Sequence, residues 1–261
     1  MEKIFKYPRT YHVEGSKKQI GDEDLEYVSL KEYADYNIVL EEKLDGANSG
    51  ISFSQEGKLL LQSRGHFLTG GYRERHFNLF KSWAYSKQSE LYELLGKRYI
   101  MYGEWLYAKH TIFYTKLPHY FLEFDIFDKE RKIFLNTQKR REMLKDFPFI
   151  VSVPVLYEGS YYEINSLDDY VGQSLYIDNN HLEILKKVCQ KLKLNYERVL
   201  KETDNTTLSE GLYIKVEDEE KVVARLKYVR SSFLTTVIES ETHWIDRPII
   251  PNQLASGVSI F

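Results

Sequence analysis

The sequence predicts an α+β fold in which mainly antiparallel sheets are flanked by helices. Two observations predict it. Strand-like runs come in pairs joined by short polar or glycine turns, and helical periodicity is confined to separate stretches instead of alternating with single strands. The length of 261 residues fits one large domain with a small appendage. We therefore expect a main domain over residues 1–235 and a short C-terminal extension over 236–261.

The elements follow from local patterns, taken in chain order. Runs rich in β-branched and aromatic residues predict strands at 36–43, 51–53, 58–63, 98–107, 119–128, 132–135, 210–217 and 221–229. Polar or glycine turns separate several of them, at Asp45-Gly46, at Glu56-Gly57 and at 218–220. Apolar residues at helical spacing predict helices at 76–95, at about 137–146 and twice between 181 and 200. The last 30 residues contain Pro248 and Pro251 and show no clear periodicity.

Composition narrows the class of protein. Hydrophobic residues make up 43% and charged residues 29%, which is ordinary for a soluble globular protein. A net charge of −3 gives no bulk support for a nucleic-acid partner, although a local basic patch can still act. The single cysteine, Cys189, excludes an internal disulfide and a cysteine-based zinc site. The N-terminus does not resemble a signal peptide and no apolar run approaches a membrane span, so we expect a soluble cytoplasmic protein.

The pattern Glu42-Lys43-Leu44-Asp45-Gly46 carries the candidate chemistry. It lies where a predicted strand ends in a glycine turn, which holds the lysine rigidly and lets the backbone approach a ligand. A lysine amine attacks phosphorus only when unprotonated, and its ordinary pKa of about 10.4 disfavours that state. Burial or cationic neighbours can lower this pKa. By itself the pattern fits a solvated lysine at an ordinary strand-to-turn junction better than it fits a nucleophile.

Five further motifs follow Lys43 in order, each on a strand or at a strand end. They are Ser63-Arg64-Gly65, Tyr102-Gly103-Glu104, Glu123-Phe124-Asp125, Ser209-Glu210-Gly211 and Arg225-Leu226-Lys227. The ordered series spans about 185 residues and resembles that of the covalent nucleotidyltransferases, which comprise polynucleotide ligases and mRNA capping guanylyltransferases. Residues 42–48, including Asn48, most resemble the ATP-dependent RNA ligases of the T4 RNA ligase 2 type. The resemblance implies the nucleotidyltransferase, or ligase adenylation-domain, fold.

The resemblance also implies a role for each motif residue. Lys43 would attack the α-phosphorus of ATP and carry AMP, and Arg64 would contact the ribose or phosphate. Glu104 would accept a hydrogen bond from a ribose hydroxyl, and Phe124 would stack on the adenine. Glu210 would help to bind Mg²⁺ or Mn²⁺ or orient Lys43. Without the resemblance, these charges fit solvated strand positions, and Phe124 fits the apolar core.

Seven further residues complete the expected nucleotide site. Arg225 and Lys227 share a strand face by their spacing and would meet the phosphates. Arg225 departs from the lysine usual in this family. Glu42, Leu44 and Asn48 are expected to bind the nucleotide, while Asp45 and Gly46 support the motif.

The choice of enzyme within the superfamily depends on the C-terminus. Only 34 residues follow Lys227, too few for the OB-fold domain of DNA ligases and capping enzymes. The resemblance therefore implies an ATP-dependent RNA ligase that joins 5′-phosphate and 3′-hydroxyl RNA ends in RNA repair. A partner protein would then replace a C-terminal RNA-binding module, unless the chain's own insertions recognise the ends. The alternatives are an RNA-end or nucleotide-binding protein without ligation activity, a guanylyltransferase, or a DNA ligase.

Overall fold

A computed structural model of the chain describes residues 3–18, 25–239 and 247–261. Its strands, in chain order, are β1 (Tyr11–Val13), β2 (Tyr27–Val28), β3 (Asn37–Lys43), β4 (Ala47–Phe53), β5 (Leu59–Ser63), β6 (Tyr99–Trp105), β7 (Phe121–Asp128), β8 (Ile133–Phe134), β9 (Val151–Ser152), β10 (Val155–Ser160), β11 (Gly211–Glu217) and β12 (Val222–Val229). Its α-helices are α1 (Asn78–Ser86), α2 (Gln88–Leu95), α3 (Thr137–Leu144), α4 (His181–Leu192), α5 (Tyr196–Lys201) and α6 (Ser231–Glu239).

The strands form two sheets. The first has the order β10-β3-β11-β12-β1-β2, and the second has the order β5-β4-β6-β7-β8 with β9 beside β7. Pairing is antiparallel except for β1 with β12, β1 with β2, and β7 with β9. The predicted α+β fold with mainly antiparallel sheets is therefore confirmed. The short link 44–46 carries the chain from β3 in the first sheet to β4 in the second, so the two sheets meet at the end of β3.

Four features differ from the sequence prediction. Strands β9 and β10 lie where no strand was predicted. The short parallel strands β1 and β2 lack the length that makes a period-two pattern visible. The helix expected over 76–95 is a 3₁₀ turn, Tyr72–Phe77, followed by α1 and α2, which meet at Lys87. Helix α6 lies in the segment without clear periodicity. Its β-branched residues have weak helix propensity, and the burial of Phe233 and Leu234 outweighs that preference.

The C-terminal segment 247–261 packs on the main body. The side-chain amide of Asn252 donates to the Leu106 carbonyl at 2.7 Å, and its Oδ1 accepts from the Tyr114 amide at 3.0 Å. Residues 240–246 of the predicted extension lie outside the described residues, and α6 runs across residue 235. The division at 235 stays a prediction. No helix in the described part of the chain is long and apolar enough to cross a bilayer.

A buried ion network joins the two sheets. Arg140 of α3 donates two hydrogen bonds to Glu123 of β7, both at 2.9 Å, and one to Glu41 of β3 at 3.1 Å. Lys215 of β11 lies 2.9 Å from Glu41 and 3.3 Å from Asp125 of β7. The three buried carboxylates of Glu41, Glu123 and Asp125 would repel one another. The positive charges of Arg140 and Lys215 offset this repulsion. Their pairing fixes how β3 and β11 sit against β7.

We expect Arg140→Met to destabilise the protein by about 3–5 kcal/mol, because it leaves the buried carboxylate of Glu123 without a cationic partner. Urea denaturation measures the loss. The neighbouring Arg141 is a matched control, since its pair with Glu158 is solvent-exposed, and Arg141→Met should change the unfolding midpoint little. Equal midpoints for the two variants would contradict the structural role of the network.

Candidate active site

A cavity of about 1080 Å³ lies where the two sheets meet at the end of β3. This volume is at the upper end of the range typical of ligand sites. Nine of the residues singled out from the sequence line it: Glu42, Lys43, Leu44, Gly46, Asn48, Arg64, Glu104, Phe124 and Lys227. They come from both sheets, so the cavity depends on the crossing of the chain at 44–46. Asp45, Glu210 and Arg225 are not part of the lining.

Lys43 is the last residue of β3 and pairs in register with Gly211 of β11. This register brings Glu210, immediately before β11, beside the lysine. The Nζ of Lys43 lies 2.7 Å from Oε1 of Glu210, with the lysine side chain 23% exposed and the glutamate side chain 3% exposed. The amine thus opens into the cavity while Glu210 supports it from the protein side.

The electrostatics around Lys43 differ from those expected for an activated lysine. Burial lowers the pKa of the amine, but the carboxylates of Glu210, Glu104 and Asp45 raise it, and the net pKa is raised. The sequence could not show that the neighbours are anions instead of cations. In the protein without ligand, Lys43 is therefore an ammonium held by carboxylates, and attack on phosphorus requires that it lose a proton.

Glu104 of β6 lies across the turn from Lys43. Its Oε1 accepts a hydrogen bond from the Gly46 amide at 3.1 Å. Burial raises the pKa of Glu104 to about 8, helped by the negative charges of Glu210 and Asp45 and opposed by Lys43. Without a ligand, part of the Glu104 population is therefore protonated near neutral pH, and a cation in the cavity would favour the ionised form.

Asp45 anchors the turn from behind. Its Oδ2 accepts hydrogen bonds from the amides of Thr111 and Ile112, each at 2.7 Å, and its own amide donates to the Tyr114 hydroxyl at 2.8 Å. A Cβ on Gly46 would lie 2.7 Å from the Leu106 side chain and 2.8 Å from the Trp105 carbonyl. The pair thus fixes the turn, and the supporting role of Asp45 and Gly46 in the reaction stays a prediction.

If Lys43 carries AMP, as the resemblance implies, Gly46→Ala should lower the rate of lysyl-AMP formation about 100-fold, because the added methyl group must displace the turn that places Lys43. Label transfer from ATP in a single turnover measures it. Gly172→Ala serves as the control, since no atom lies within 4 Å of the added Cβ and the residue is outside the cavity. A normal rate for Gly46→Ala would show that the turn does not need this close packing.

Phe124 of β7 lines the cavity and is 9% exposed. Tyr7 packs edge-on against it with ring centroids 5.3 Å apart, and Lys215 donates a hydrogen bond to its carbonyl. These contacts fix the position of the ring, and its stacking on adenine stays a prediction. Gly103 makes room for core packing, because a Cβ there would lie 2.5 Å from the Phe121 ring.

Four other residues predicted to bind the nucleotide line the cavity but differ in burial and hydrogen bonding. Oδ1 of Asn48 is buried and accepts no hydrogen bond from the described residues, which leaves an acceptor for a ligand or water. Arg64 is exposed on the cavity rim. Leu44 is buried. Glu42 accepts from the Ser174 hydroxyl at 2.5 Å, and burial raises its pKa.

The two cations of β12 are placed differently. Lys227 lines the cavity, whereas the guanidinium of Arg225 lies over the Phe134 ring with its carbon 3.8 Å from the centroid. Burial lowers the pKa of Arg225, but its interactions with Tyr7 and Asp125 raise it overall. Contact of Arg225 with a phosphate stays a prediction.

Sequence reasoning missed several residues of the cavity wall, among them Tyr7, Glu41 and Tyr213. Tyr7 comes from the N-terminal segment, which has no motif, and donates to Asp125 at 2.5 Å while also contacting the Tyr213 hydroxyl. Glu41 and Glu42 both follow the apolar run 38–40, and the sequence does not show which of them has a buried charged partner.

Comparison with known proteins is decisive for the family. A family model described as RNA ligase matches residues 37–229, which include the whole series of six motifs. The chain belongs to the RNA ligase family. No curated protein matches the chain in sequence.

Solved RNA ligases share the fold. A mutant of the Naegleria gruberi RNA ligase with ATP and Mn aligns with a TM-score of 0.53 at 15% identity, over 89% of this chain and 58% of that one. A second mutant with ATP and Mn gives 0.51 at 16% identity, over 89% and 58%. An archaeal ATP-dependent RNA ligase gives 0.50 at 16% identity, over 90% and 56%. The present chain thus spans less than two thirds of each of these RNA ligases.

Proposed function

We propose that this chain is an ATP-dependent RNA ligase that joins 5′-phosphate and 3′-hydroxyl RNA ends through a lysyl-AMP intermediate. The observation that carries the proposal is the position of Lys43, whose Nζ faces the cavity while lying 2.7 Å from Glu210. The family supports RNA as the substrate. The related structures with ATP and Mn support ATP as the AMP donor.

In the first step, the neutral amine of Lys43 attacks the α-phosphorus of ATP. A P–N bond forms, the bond to the bridging oxygen breaks, and pyrophosphate leaves. In the second step, an oxygen of the RNA 5′-phosphate attacks the AMP phosphorus, and the P–N bond breaks. In the third step, the 3′-hydroxyl of the other end attacks the activated 5′-phosphorus and releases AMP. The covalent lysine intermediate divides one difficult condensation into easier transfers.

Glu210 is placed to handle the proton. Its Oε1 is the atom nearest the Lys43 amine, and burial raises the pKa of its carboxyl group. A carboxylate with a raised pKa is a better base for an ammonium than one in water. Glu210 takes the proton as Lys43 attacks and returns it when the P–N bond breaks.

The carboxylates also fit a divalent cation. Glu210 and Glu104 offer the oxygen donors that Mg²⁺ and Mn²⁺ prefer, and such ions are commonly held by one or two carboxylates with substrate phosphates and water. Among the described residues no cluster of three metal-ligating side chains is present, which agrees with a site completed by the nucleotide. The ion would neutralise charge on the carboxylates and the α-phosphate.

The other lining residues bind the parts of ATP according to their chemistry. Lys227 and Arg64 offset charge on the phosphates, with Arg225 as the second β12 cation. Phe124 stacks on the adenine. Glu104 and Asn48 hydrogen-bond the nucleoside, with Glu42 and Leu44 completing the wall. The reaction uses RNA and ATP, so we also propose a cytoplasmic location, with RNA ends recognised by the chain itself or by a partner protein.

Incubation with labelled ATP or labelled GTP and Mg²⁺ or Mn²⁺ tests the first step. Covalent label from ATP alone supports the ligase, label from GTP alone supports a guanylyltransferase, and no label contradicts both. Sealing of matched RNA and DNA nicks then tests the transfer steps. Sealing of DNA in preference to RNA would favour a DNA ligase, and failure to seal either would leave a protein that only binds nucleotides or ends.

A further inference from the structure

The cavity has a rim that none of the proposed catalytic groups explains. We define the rim loop as residues 64–72, which follow β5. Its lining members are Arg64, Gly65, His66, Gly70, Gly71 and Tyr72. Its last residue, Tyr72, begins the 3₁₀ turn that leads into α1. The rim loop therefore borders the opening through which a polynucleotide end would reach the nucleotide.

The shape of the rim loop is fixed at its C-terminal end. Gly70 and Gly71 have φ values of +125° and +114°, which favour glycine. The buried carboxylate of Glu74 accepts hydrogen bonds from the amides of Thr69 at 3.1 Å and Gly70 at 2.8 Å. Lys81 of α1 holds the same carboxylate at 2.5 Å. Backbone conformation and this anchor together place the next side chain, Tyr72, at a defined point on the rim.

Tyr72 is 79% exposed, the highest value among the large hydrophobic side chains of the described residues. Its ring is held by Arg75, whose guanidinium carbon lies 4.8 Å from the ring centroid and which donates to the Tyr72 hydroxyl. Arg75 is itself held by a hydrogen bond of 3.0 Å to the Arg247 carbonyl. Tyr72 thus presents an exposed aromatic ring beside a cation on the cavity rim, an arrangement that suits base stacking.

The chemistry of this pair suits single-stranded nucleic acid. Aromatic rings stack on bases of any sequence, and neighbouring arginine attracts the phosphate backbone. Inside the cavity, Phe124 is already available for the adenine of ATP. A polynucleotide must extend beyond the cavity into solvent, where Tyr72 stands. The occupant of the rim is therefore a base of the RNA and not the base of ATP.

We propose that Tyr72 stacks on a nucleobase of the RNA strand whose 5′-phosphate receives AMP, an assignment that rests on the proposed ligase function. Arg75 orients the ring and adds positive charge for the adjoining phosphate. Tyr72 is thus a substrate-positioning residue for the transfer steps, separate from the groups that react with ATP.

The kinetic test uses enzyme already carrying AMP and a 5′-phosphorylated RNA. Tyr72→Ala should raise KM for RNA about tenfold, and Tyr72→Phe should restore it, because the phenylalanine ring still stacks. Lysyl-AMP formation from ATP should change much less. Tyr162→Ala is the matched control, since Tyr162 is 75% exposed and lies outside the cavity lining. An unchanged KM for RNA in Tyr72→Ala, or an equal loss in the ATP step, would overturn the proposal.

A binding test separates this proposal from the proposed function. Fluorescence of Tyr72→Trp should be quenched by the same RNA, whereas that of Tyr162→Trp should not. No quenching, quenching by ATP alone, or quenching by matched DNA alone would overturn the assignment. Quenching by RNA in a protein that forms no lysyl-AMP would uphold the stacking site and contradict the ligase function.

Discussion

Replacing Lys43 with alanine or arginine is expected to abolish covalent label from ATP, with a loss of more than about a thousandfold. Alanine removes the nucleophile and the ion pair with Glu210 together. Arginine keeps a positive charge for Glu210 but has no unprotonated nitrogen at accessible pH. Loss in both variants therefore assigns the defect to nucleophilic attack and not to charge. Gel detection of labelled protein after incubation with ATP and Mg²⁺ or Mn²⁺ measures it.

The later chemistry provides the control for this loss. RNA that already carries AMP on its 5′-phosphate needs no lysyl intermediate, so Lys43→Arg should still join it to a 3′-hydroxyl end. This also shows that the variant is folded. Covalent label retained by Lys43→Ala would place the AMP on another residue and contradict the proposed mechanism.

The pH dependence of the same step follows from the raised pKa of Lys43. Below that pKa only the neutral fraction of the amine reacts, and this fraction increases about tenfold for each unit of pH. The single-turnover rate should therefore rise from about pH 6 to about pH 9 and fall as pH is lowered. A rate that is constant over this range would show that loss of the Lys43 proton does not limit attack.

Much of the fold and part of the site could be predicted because strands and motif residues leave local patterns. The predicted strands 36–43 and 119–128 correspond to β3 and β7, and the motif residues Lys43 and Phe124 lie in them. Pairing between distant strands leaves no such local pattern. The sequence did not show that β3 and β4 belong to different sheets, nor that Gly211 lies opposite Lys43.

The charges that surround Lys43 were harder to predict, because they come from strands that are distant in the sequence. The apolar residues before Lys43 predict that it is partly buried. The sign of the charges that face it depends on which strands pair with β3. A buried lysine alone has a lowered pKa, and three carboxylates reverse that shift. Arg140 illustrates the same difficulty, since a basic run on a helix usually indicates a solvated face, yet this side chain is buried against Glu123 and Glu41.

Glu210→Gln is expected to lower the single-turnover rate of lysyl-AMP formation about 100-fold or more, even though one of its effects favours reaction. Removing this carboxylate takes away the largest charge that raises the pKa of Lys43, so the amine becomes neutral at lower pH. Opposing this, the variant loses the base nearest the amine and an oxygen donor for the cation. Loss of one such preorganised group typically lowers the rate by about 10²–10³. This loss exceeds the gain in rate from a larger fraction of neutral amine.

Two measurements on Glu210→Gln separate these effects. Its rate should increase with pH at a lower midpoint than in the wild type, and it should need a higher concentration of Mn²⁺ for half-maximal rate. Glu104→Gln is the comparison, because it leaves the closest partner of Lys43 in place and should act mainly by raising KM for ATP. If Glu210→Gln keeps both the wild-type rate and the wild-type Mn²⁺ requirement, Glu210 neither moves the proton nor binds the ion, and its ion pair with Lys43 only orients the amine.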